Sequence, residues 1–337
     1  MHVRTQRKVA PFGAVAAVTL ALGATGTISH PAFADEHSRP SASIVDHTLF
    51  VTGSDGPDAI ALAATAATMT VNFAGAAPAQ VFDRSTFTAI SVSLGSGNDM
   101  FTVGSQGQFS NIPLAVAGGR GDDFILGSDG NDVISGGRGN DVVDGGRGTD
   151  TEILGSGSDT ALWVPGEGSD IIDGGRGPDT LTFIGSAGNE AFTFVPDGDA
   201  AVLTRDLGGI RMHMIRVERV DLEALGGTDQ VSVGDLSGTD LRLADVRLSS
   251  TGAPDGASDG LLDVVSIQGT DRADYVRVGA DGSTVDIAGL RTETRISGGD
   301  TRDQLHINTG AGDDRVQVSS AAASLLQIST DLGADQH

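Results

Sequence analysis

A nine-residue period constrains this chain more than any other feature. From Gly118 the sequence reads GGRGDDFIL, GSDGNDVIS, GGRGNDVVD and GGRGTDTEI. An aspartate recurs in phase at Asp123, Asp132, Asp141, Asp150 and Asp159, and after a two-residue slip at 163–164 the phase resumes at Asp170 and Asp179. Units this short cannot each enclose a core. They bury apolar surface only against their neighbours, so a fixed period of this length dictates a solenoid.

The internal order of the nonamer is physical as well as periodic. Glycines at positions one, two and four let the backbone take positive φ and turn tightly. The aspartate at position six then places a carboxylate inside the turn. A short β segment follows with one inward apolar residue, namely Ile125, Ile134, Val143, Ile172 or Leu181. Two turn-plus-strand halves make one flattened coil, so turns eighteen residues apart share an edge. One edge carries Asp123, Asp141, Asp159 and Asp179, and the other carries Asp132, Asp150 and Asp170. Carboxylates in register repel unless a divalent cation sits between them. Carboxylates with backbone carbonyls are hard oxygen donors, which select calcium over zinc or copper. One aliphatic side chain per nonamer is little burial to set against the ordering of nine residues, so ion binding is expected to supply folding energy.

These nonamers resemble the RTX, or haemolysin-type, calcium-binding repeat, G-G-x-G-x-D-x-U-x. The four from Gly118 to Ile153 fit closely. Beyond them Leu154 replaces a first glycine, and Glu152 and Ala161 take inward apolar positions. The resemblance implies an all-β fold, a parallel β-roll/β-helix solenoid with calcium-binding nonapeptide turns. It implies Ca2+ between stacked turns, held by Asp123, Asp132, Asp141, Asp150, Asp159, Asp170 and Asp179. The carbonyl donors it implies belong to Gly118, Gly119, Gly121, Gly127, Gly130, Gly136, Gly137, Gly139, Gly145, Gly146 and Gly148.

The rest of the chain reads around this block. Residues 1–34 have the form of an export signal: Arg4, Arg7 and Lys8, then an apolar run, then Ala32-Phe33-Ala34 as a small-x-small cleavage pattern. A secreted, extracellular protein is expected, cleaved near Asp35. Residues 35–50 read as a flexible polar lead-in. From Phe50 short period-two runs alternate with Gly/Asp turns, the signature of strands.

A longer repeat underlies these runs. Gly185–Phe194 aligns with Gly269–Val278, and Gly227–Val233 with Gly312–Val318, while a third copy starts at Gly53 and passes through Gly95–Val103. Units at 51–117, 183–250 and 267–337 are therefore expected as wider, degenerate coils of the same stack. The calcium-binding roll at 118–182 is inserted after the first, and a loop at 251–266 separates the last two. Asp99, Asp229 and Asp314 are further ion candidates.

Composition narrows the function. There are 45 acidic and 21 basic residues, a net charge of −24, and no cysteine. Such a charge argues against nucleic acid as a partner and for cation binding. No amphipathic or apolar pore segment stands out, so no membrane insertion is expected. Gly256–Gly260 matches the G-x-S-x-G string around Ser258, but that elbow needs a strand before it and a helix after it. Pro254 and Asp255 precede it and an apolar strand follows. His47, His213 and His306 lack metal-ligand spacing. Arg120, Arg138 and Arg176 fall on one edge, and Arg147 on the other, where they offset the acids. No catalytic residue is assigned. The expectation is a secreted calcium-binding β-solenoid serving as a structural or binding module, with an extracellular matrix or cell-surface partner. The alternative is an extracellular polysaccharide-acting enzyme (lyase, epimerase or hydrolase) on a β-helix, for which one tryptophan and one tyrosine offer few sugar platforms.

Overall fold

A computed structural model describes residues 39–75, 77–104, 108–109, 112–251 and 256–333. Residues 1–34, where an export signal is expected, and part of the loop before Ser258 lie outside the described residues. Among those described, every regular element is a strand or a single 3-10 turn, and no helix is long and apolar enough to cross a membrane. The strands form two fourteen-stranded sheets. Consecutive strands of the repeat block alternate between the sheets, so the chain is an all-β flattened solenoid. Val133–Arg138 pairs in parallel with Leu114–Arg120 on one side and Thr151–Ser156 on the other. Ile134 faces Val116 and Glu152, eighteen residues away in each direction. Glu152 in turn faces Ile172, twenty residues on. The two-residue slip is absorbed by an enlarged turn in which Glu167 donates its N–H to the Val164 carbonyl, and the ladder continues unbroken.

The core is a pair of inward columns. One sheet contributes Val51, Val92, Val116, Ile134, Glu152, Ile172 and Met214, each opposite the next. The other contributes Ile60, Phe101, Ile125, Val143, Ala161, Leu181 and Val220. The five inward residues read from the nonamers, Ile125, Ile134, Val143, Ile172 and Leu181, are all fully buried. Glu152 is a carboxylic acid in a column otherwise made of aliphatic side chains.

Two features differ from the sequence reading. The three flanking units are not simply wider parallel coils, because each contains a three-stranded antiparallel meander. These are Ala59–Ala64, Thr68–Phe73 and Ala77–Asp83; then Ala191–Asp197, Ala200–Arg205 and Ile210–Ile215; then Tyr275–Asp281, Thr284–Ala288 and Glu293–Ser297. The cause is local. Asp197 pairs with Ala200 and Asp281 with Thr284, across two-residue turns that begin with Gly198 (φ 69) and Gly282 (φ 59). Gly-Asp and Gly-Ser as two-residue loops between alternating strands are a short-range hairpin signal, because a glycine with positive φ at the first loop position matches the strand twist. The second difference is at the lead-in. Ser41–Val45 and Thr48–Thr52 form an antiparallel hairpin across Asp46 and His47, and Leu49 and Val51 are buried in the stack.

Candidate metal centre

The position-six acids form continuous ladders along the solenoid edges. In each, the N–H of one aspartate donates to Oδ1 of the next. One ladder runs from Asp58 to Asp99 (2.8 Å), Asp123 (2.9 Å), Asp141 (2.9 Å), Asp159 (2.8 Å) and Asp179 (2.9 Å), and ends on Glu218 Oε2 (2.8 Å). A second runs from Asp132 to Asp150 and Asp170, at 2.8 Å each. The eighteen-residue rows read from the sequence are thus brought together as drawn. The first also reaches back to Asp58 and Asp99 and forward to Glu218. Position five carries a parallel ladder: Asn140 Oδ1 accepts the Ser158 N–H and Asn131 Oδ1 that of Thr149.

What distinguishes one turn from another is the other carboxylate oxygen. Among the described residues, buried Oδ2 atoms with no hydrogen-bond partner occur at Asp99, Asp123, Asp141, Asp150, Asp159, Asp179, Asp229 and Asp314. An unsatisfied buried acceptor is costly, and an ionised one more so. In every one of these eight turns positions two and four both have positive φ, as at Gly119 (112°) and Gly121 (122°) before Asp123. Where position two is serine or threonine, its own N–H satisfies the second oxygen. Ser54 does so for Asp58, Ser128 for Asp132, Ser186 for Glu190 and Thr270 for Asp274. Asp132 therefore differs from its row partner Asp150 despite identical phase, and Gly130 in its turn is not left-handed. Asp170 differs as well: Gly166 is left-handed but Gly168 is not, and its Oδ2 is not orphaned.

Oxygen atoms crowd the space over the position-one glycines. A Cβ on Gly118 would lie 2.5 Å from Asp123 Oδ2 and 2.4 Å from the Gly136 carbonyl of the next coil. On Gly136 it would lie 2.5 Å from Asp141 Oδ2 and 2.6 Å from the Leu154 carbonyl, and on Gly145 2.7 Å from both Asp150 Oδ2 and Glu152 Oε1. On Gly127 it would meet the Gly145 carbonyl and Asp132 Oδ2. Hence the turns of Gly118, Gly127 and Gly136 present one carboxylate oxygen and a facing carbonyl of the neighbouring coil, and that of Gly145 presents a second carboxylate instead; all are the hard donors that suit calcium. Among the described residues no three His, Asp or Glu side chains converge as a metal cage. A cation here would draw on one carboxylate per turn and on carbonyls.

Electrostatics agree with that donor set. Burial pushes the carboxyls of Asp123, Asp170 and Asp179 up to about 6, those of Asp132 and Asp141 to about 7, and that of Asp150 to about 9. Asp99 and Asp159 are raised by the same cause. At Asp141 the charges of Asp123 and Asp159 add to burial, while the N–H bond from Asp123 opposes it. The acids are thus arranged to be unfavourable when ionised without a counter-charge.

Elsewhere on the stack fixed cations do this work. Arg247 reaches Asp221 (3.2 Å) and Glu223 (2.9 Å), and Arg219 reaches Asp245 (2.7 Å). Arg120 and Arg138 stand opposite each other and Arg176 opposite Ser156, all exposed. They are not ion-paired to the ladder.

Sequence reasoning noted Glu152 only as a misfit. The structure places it in a carboxylate cluster with Asp144, Asp150, Glu167 and Asp170. Glu152 Oε1 accepts the Gly145 N–H (3.0 Å) while Oε2 is buried without a partner. Burial, then the charges of Asp170, Asp150 and Asp144, push it well above the ordinary carboxylate value. Burial and the charge of Asp144 raise Glu167 to about 8. The signal available in the sequence was the coincidence of two anomalies, an acid at an inward position and a slip that carries another acid.

The candidate chemical residues are scattered. Ser258 Oγ donates to Asp300 Oδ2 (2.8 Å) and accepts the Gly260 N–H (3.0 Å). His47 lies in the first hairpin turn. His213 Nε2 is 3.8 Å from Asp197, and His306 contacts Ser329 and Gln304.

The family model of the RTX calcium-binding nonapeptide repeat (4 copies) matches residues 117–152 and 166–181. The chain therefore carries RTX calcium-binding repeats, and it is a calcium-binding β-solenoid of the β-roll/β-helix kind. No curated protein matches it. Among solved structures, the extracellular lipase LipA from Serratia marcescens aligns at 15% identity over 60% of this chain and 43% of that one, with a TM-score of 0.16. The chain thus spans under half of that lipase, and a score so low carries no argument about fold or activity.

Proposed function

We propose that this protein is a secreted structural or binding module whose repeat block, 118–182, is folded by calcium lodged between successive turns. Asp123, Asp141, Asp159 and Asp179 supply one edge, extended backwards by Asp99, and Asp150 with Asp170 supplies the other. The Gly136 carbonyl over Gly118, the Leu154 carbonyl over Gly136 and Glu152 Oε1 over Gly145 complete the donor sets. The carrying observation is the set of buried, partnerless Oδ2 atoms, of which those of Asp123, Asp141 and Asp179 face a carbonyl of the neighbouring coil where a cation would satisfy both. The flanking units, 51–117, 183–250 and 267–337, extend the stack and offer sheet faces to an extracellular matrix or cell-surface partner. A non-enzymatic role is supported by Ser258, whose hydroxyl is held by Asp300 and the Gly260 N–H rather than by a histidine. Export is supported by the form of residues 1–34, and the strong negative charge disfavours nucleic acid.

The test is calcium titration of the mature chain, followed by circular dichroism and isothermal calorimetry. Extracellular calcium modules bind with dissociation constants of about 10⁻⁴–10⁻³ M. The β signal and melting temperature should rise over that range, and magnesium, which holds its water and demands octahedral geometry, should not substitute. Spectra and melting points that are the same in chelator and in calcium would refute the reading.

A further inference from the structure

A third ladder lies wholly outside the matched repeats. The Glu190 N–H donates to Asp229 Oδ1 (2.8 Å), the Asp229 N–H to Asp263 Oδ1 (2.8 Å), and the Asp263 N–H to Asp303 Oδ1 (2.9 Å). The main-chain bonds repeat as well: the residue after each rung donates to the carbonyl of the rung before, as Gln230 does to Glu190 and Val264 to Asp229. The position-five ladder recurs, with Asn189 Oδ1 accepting the Thr228 N–H at 2.9 Å.

The rungs of this ladder are not equivalent. Glu190 is satisfied within the protein: Arg205 pairs with Oε1 and the Ser186 N–H donates to Oε2. The Asp300 N–H donates to Asp303 Oδ2 (2.7 Å). Asp229 has neither kind of partner. It is 1% exposed, its Oδ2 has no partner, and no ion pair among the described residues reaches it.

The turn leading to Asp229 also has the repeat conformation without the repeat sequence. Gly227 is left-handed (φ 139), and a Cβ there would strike the Gly188 carbonyl at 2.6 Å, as one on Gly139 would strike that of Gly121. Position two is Leu225, held at φ 68 where the repeats use glycine. A bulky residue in that region is strained and persists only where its surroundings enforce it. Additional carboxylate comes from the following loop, where Asp259 Oδ2 accepts the Gly227 N–H at 2.8 Å. Burial, then the charges of Glu190, Asp259 and Asp206, push Asp229 up to about 7.

We infer that Asp229, whose partnerless oxygen lies in a turn bonded to the Asp259 carboxylate, is the anchoring ligand of a calcium site separate from the RTX block. Arg205 stands in for the cation one rung earlier, at Glu190. The inference rests on the reading of the repeat turns, since it takes the partnerless oxygen and the two left-handed residues to mark an ion site.

The experiment is equilibrium dialysis of the full chain against radiolabelled calcium chloride, with Asp229→Asn and Asp141→Asn beside wild type. Asparagine retains Oδ1 for the Glu190 N–H. Should Asp229→Asn nevertheless lose its β signal, Asp259→Asn, in the half-buried loop, is read in its place. The expected result is that Asp229→Asn saturates with fewer calcium ions per chain than wild type. A variant that binds as many ions as wild type overturns the inference. If Asp141→Asn loses ions and Asp229→Asn does not, this site is refuted and the repeat reading stands. If only Asp229→Asn loses ions, the repeat reading is the one that fails. A wild-type chain that binds no calcium refutes both.

Discussion

Ser128 donates its N–H to Oδ2 of Asp132 at 2.6 Å and its hydroxyl to Oδ1 of the same residue at 2.9 Å. The residue at position two thus sets, through the direction of its own N–H, whether this position-six carboxylate is satisfied inside its own turn or left open. Serine or threonine closes it. A left-handed residue at positions two and four leaves the second oxygen without a donor, and this is as true at Asp229 as at Asp123.

Ser128→Gly should therefore convert a closed turn into an open one. In chelator the loss of the hydroxyl bonds and the added chain entropy should cost about 1–2 kcal/mol. In calcium the loss should be recovered, so the calcium-induced rise in melting temperature should exceed that of wild type. Equal rises for the two proteins would show that position two does not control the turn.

The calcium-free protein should be most stable in acid. Asp123, Asp141 and Asp150 have folded values of about 6, about 7 and about 9, against an ordinary 3.8. A raised folded value means that the native state holds protons the unfolded chain releases. Stability is then full below about pH 4 and is lost as pH rises through the folded values. Calcium requires the ionised form, so its contribution grows in the opposite direction and its binding releases protons. Melting curves from pH 4 to pH 8 should fall in chelator and hold or rise in calcium. A chelator curve that climbs with pH would contradict the burial assigned to these acids.

How far the sequence discloses this molecule follows from which contacts are periodic. The phase of Asp123 to Asp159, the inward column and the eighteen-residue rows are all consequences of one repeated unit, and they appear in the structure in the expected register. The meanders at 191–215 and 275–297 were signalled by Gly198-Asp199 and Gly282-Ser283, local turn chemistry that an eye fixed on coils passes over. Asp263 and Asp303 were hidden for a different reason. The Asp263 turn has no glycine at the repeat positions, the Asp303 turn keeps Gly298 and Gly299 but has Thr301 at position four, and only the backbone ladder shows them to be rungs. Glu152 was visible but read as decay of the pattern, because nothing in the sequence shows that Asp144 and Glu167 come to surround it.

Glu152→Gln tests that cluster. In chelator the native state must take up a proton at Glu152, whose value lies well above the ordinary range. Glutamine removes this requirement and keeps an acceptor for the Gly145 N–H. The variant should be more stable than wild type at pH 8 in chelator by about 1–3 kcal/mol, the scale of an unsatisfied buried polar group, and equal to it near pH 4. In saturating calcium the advantage should shrink or reverse, since a carboxylate beside an ion site is lost. Denaturant melts under the four conditions check this, and an advantage that is the same at both pH values would mean that Glu152 carries no buried charge penalty.

Trp163, the only tryptophan in the chain, offers a local reporter of the second edge. Its ring stacks on Phe183 with centroids 4.1 Å apart, and the Arg205 guanidinium lies 5.4 Å from its centroid. Its Nε1 donates to the Gly168 carbonyl at 2.8 Å, within the turn that delivers Asp170. An ion that orders this turn must alter the field and packing at the indole, so calcium should shift or intensify its emission. Asp170→Asn should suppress most of that change. Asp141→Asn, whose ladder lies on the opposite edge, should leave most of it while still lowering the amount of calcium bound. Replacing the reporter has its own cost: Trp163→Phe removes a buried hydrogen bond and part of a stacked ring, and should destabilise by about 1–3 kcal/mol with calcium binding retained. If the emission change survives Asp170→Asn and vanishes with Asp141→Asn, the assignment of ions to the two edges is wrong.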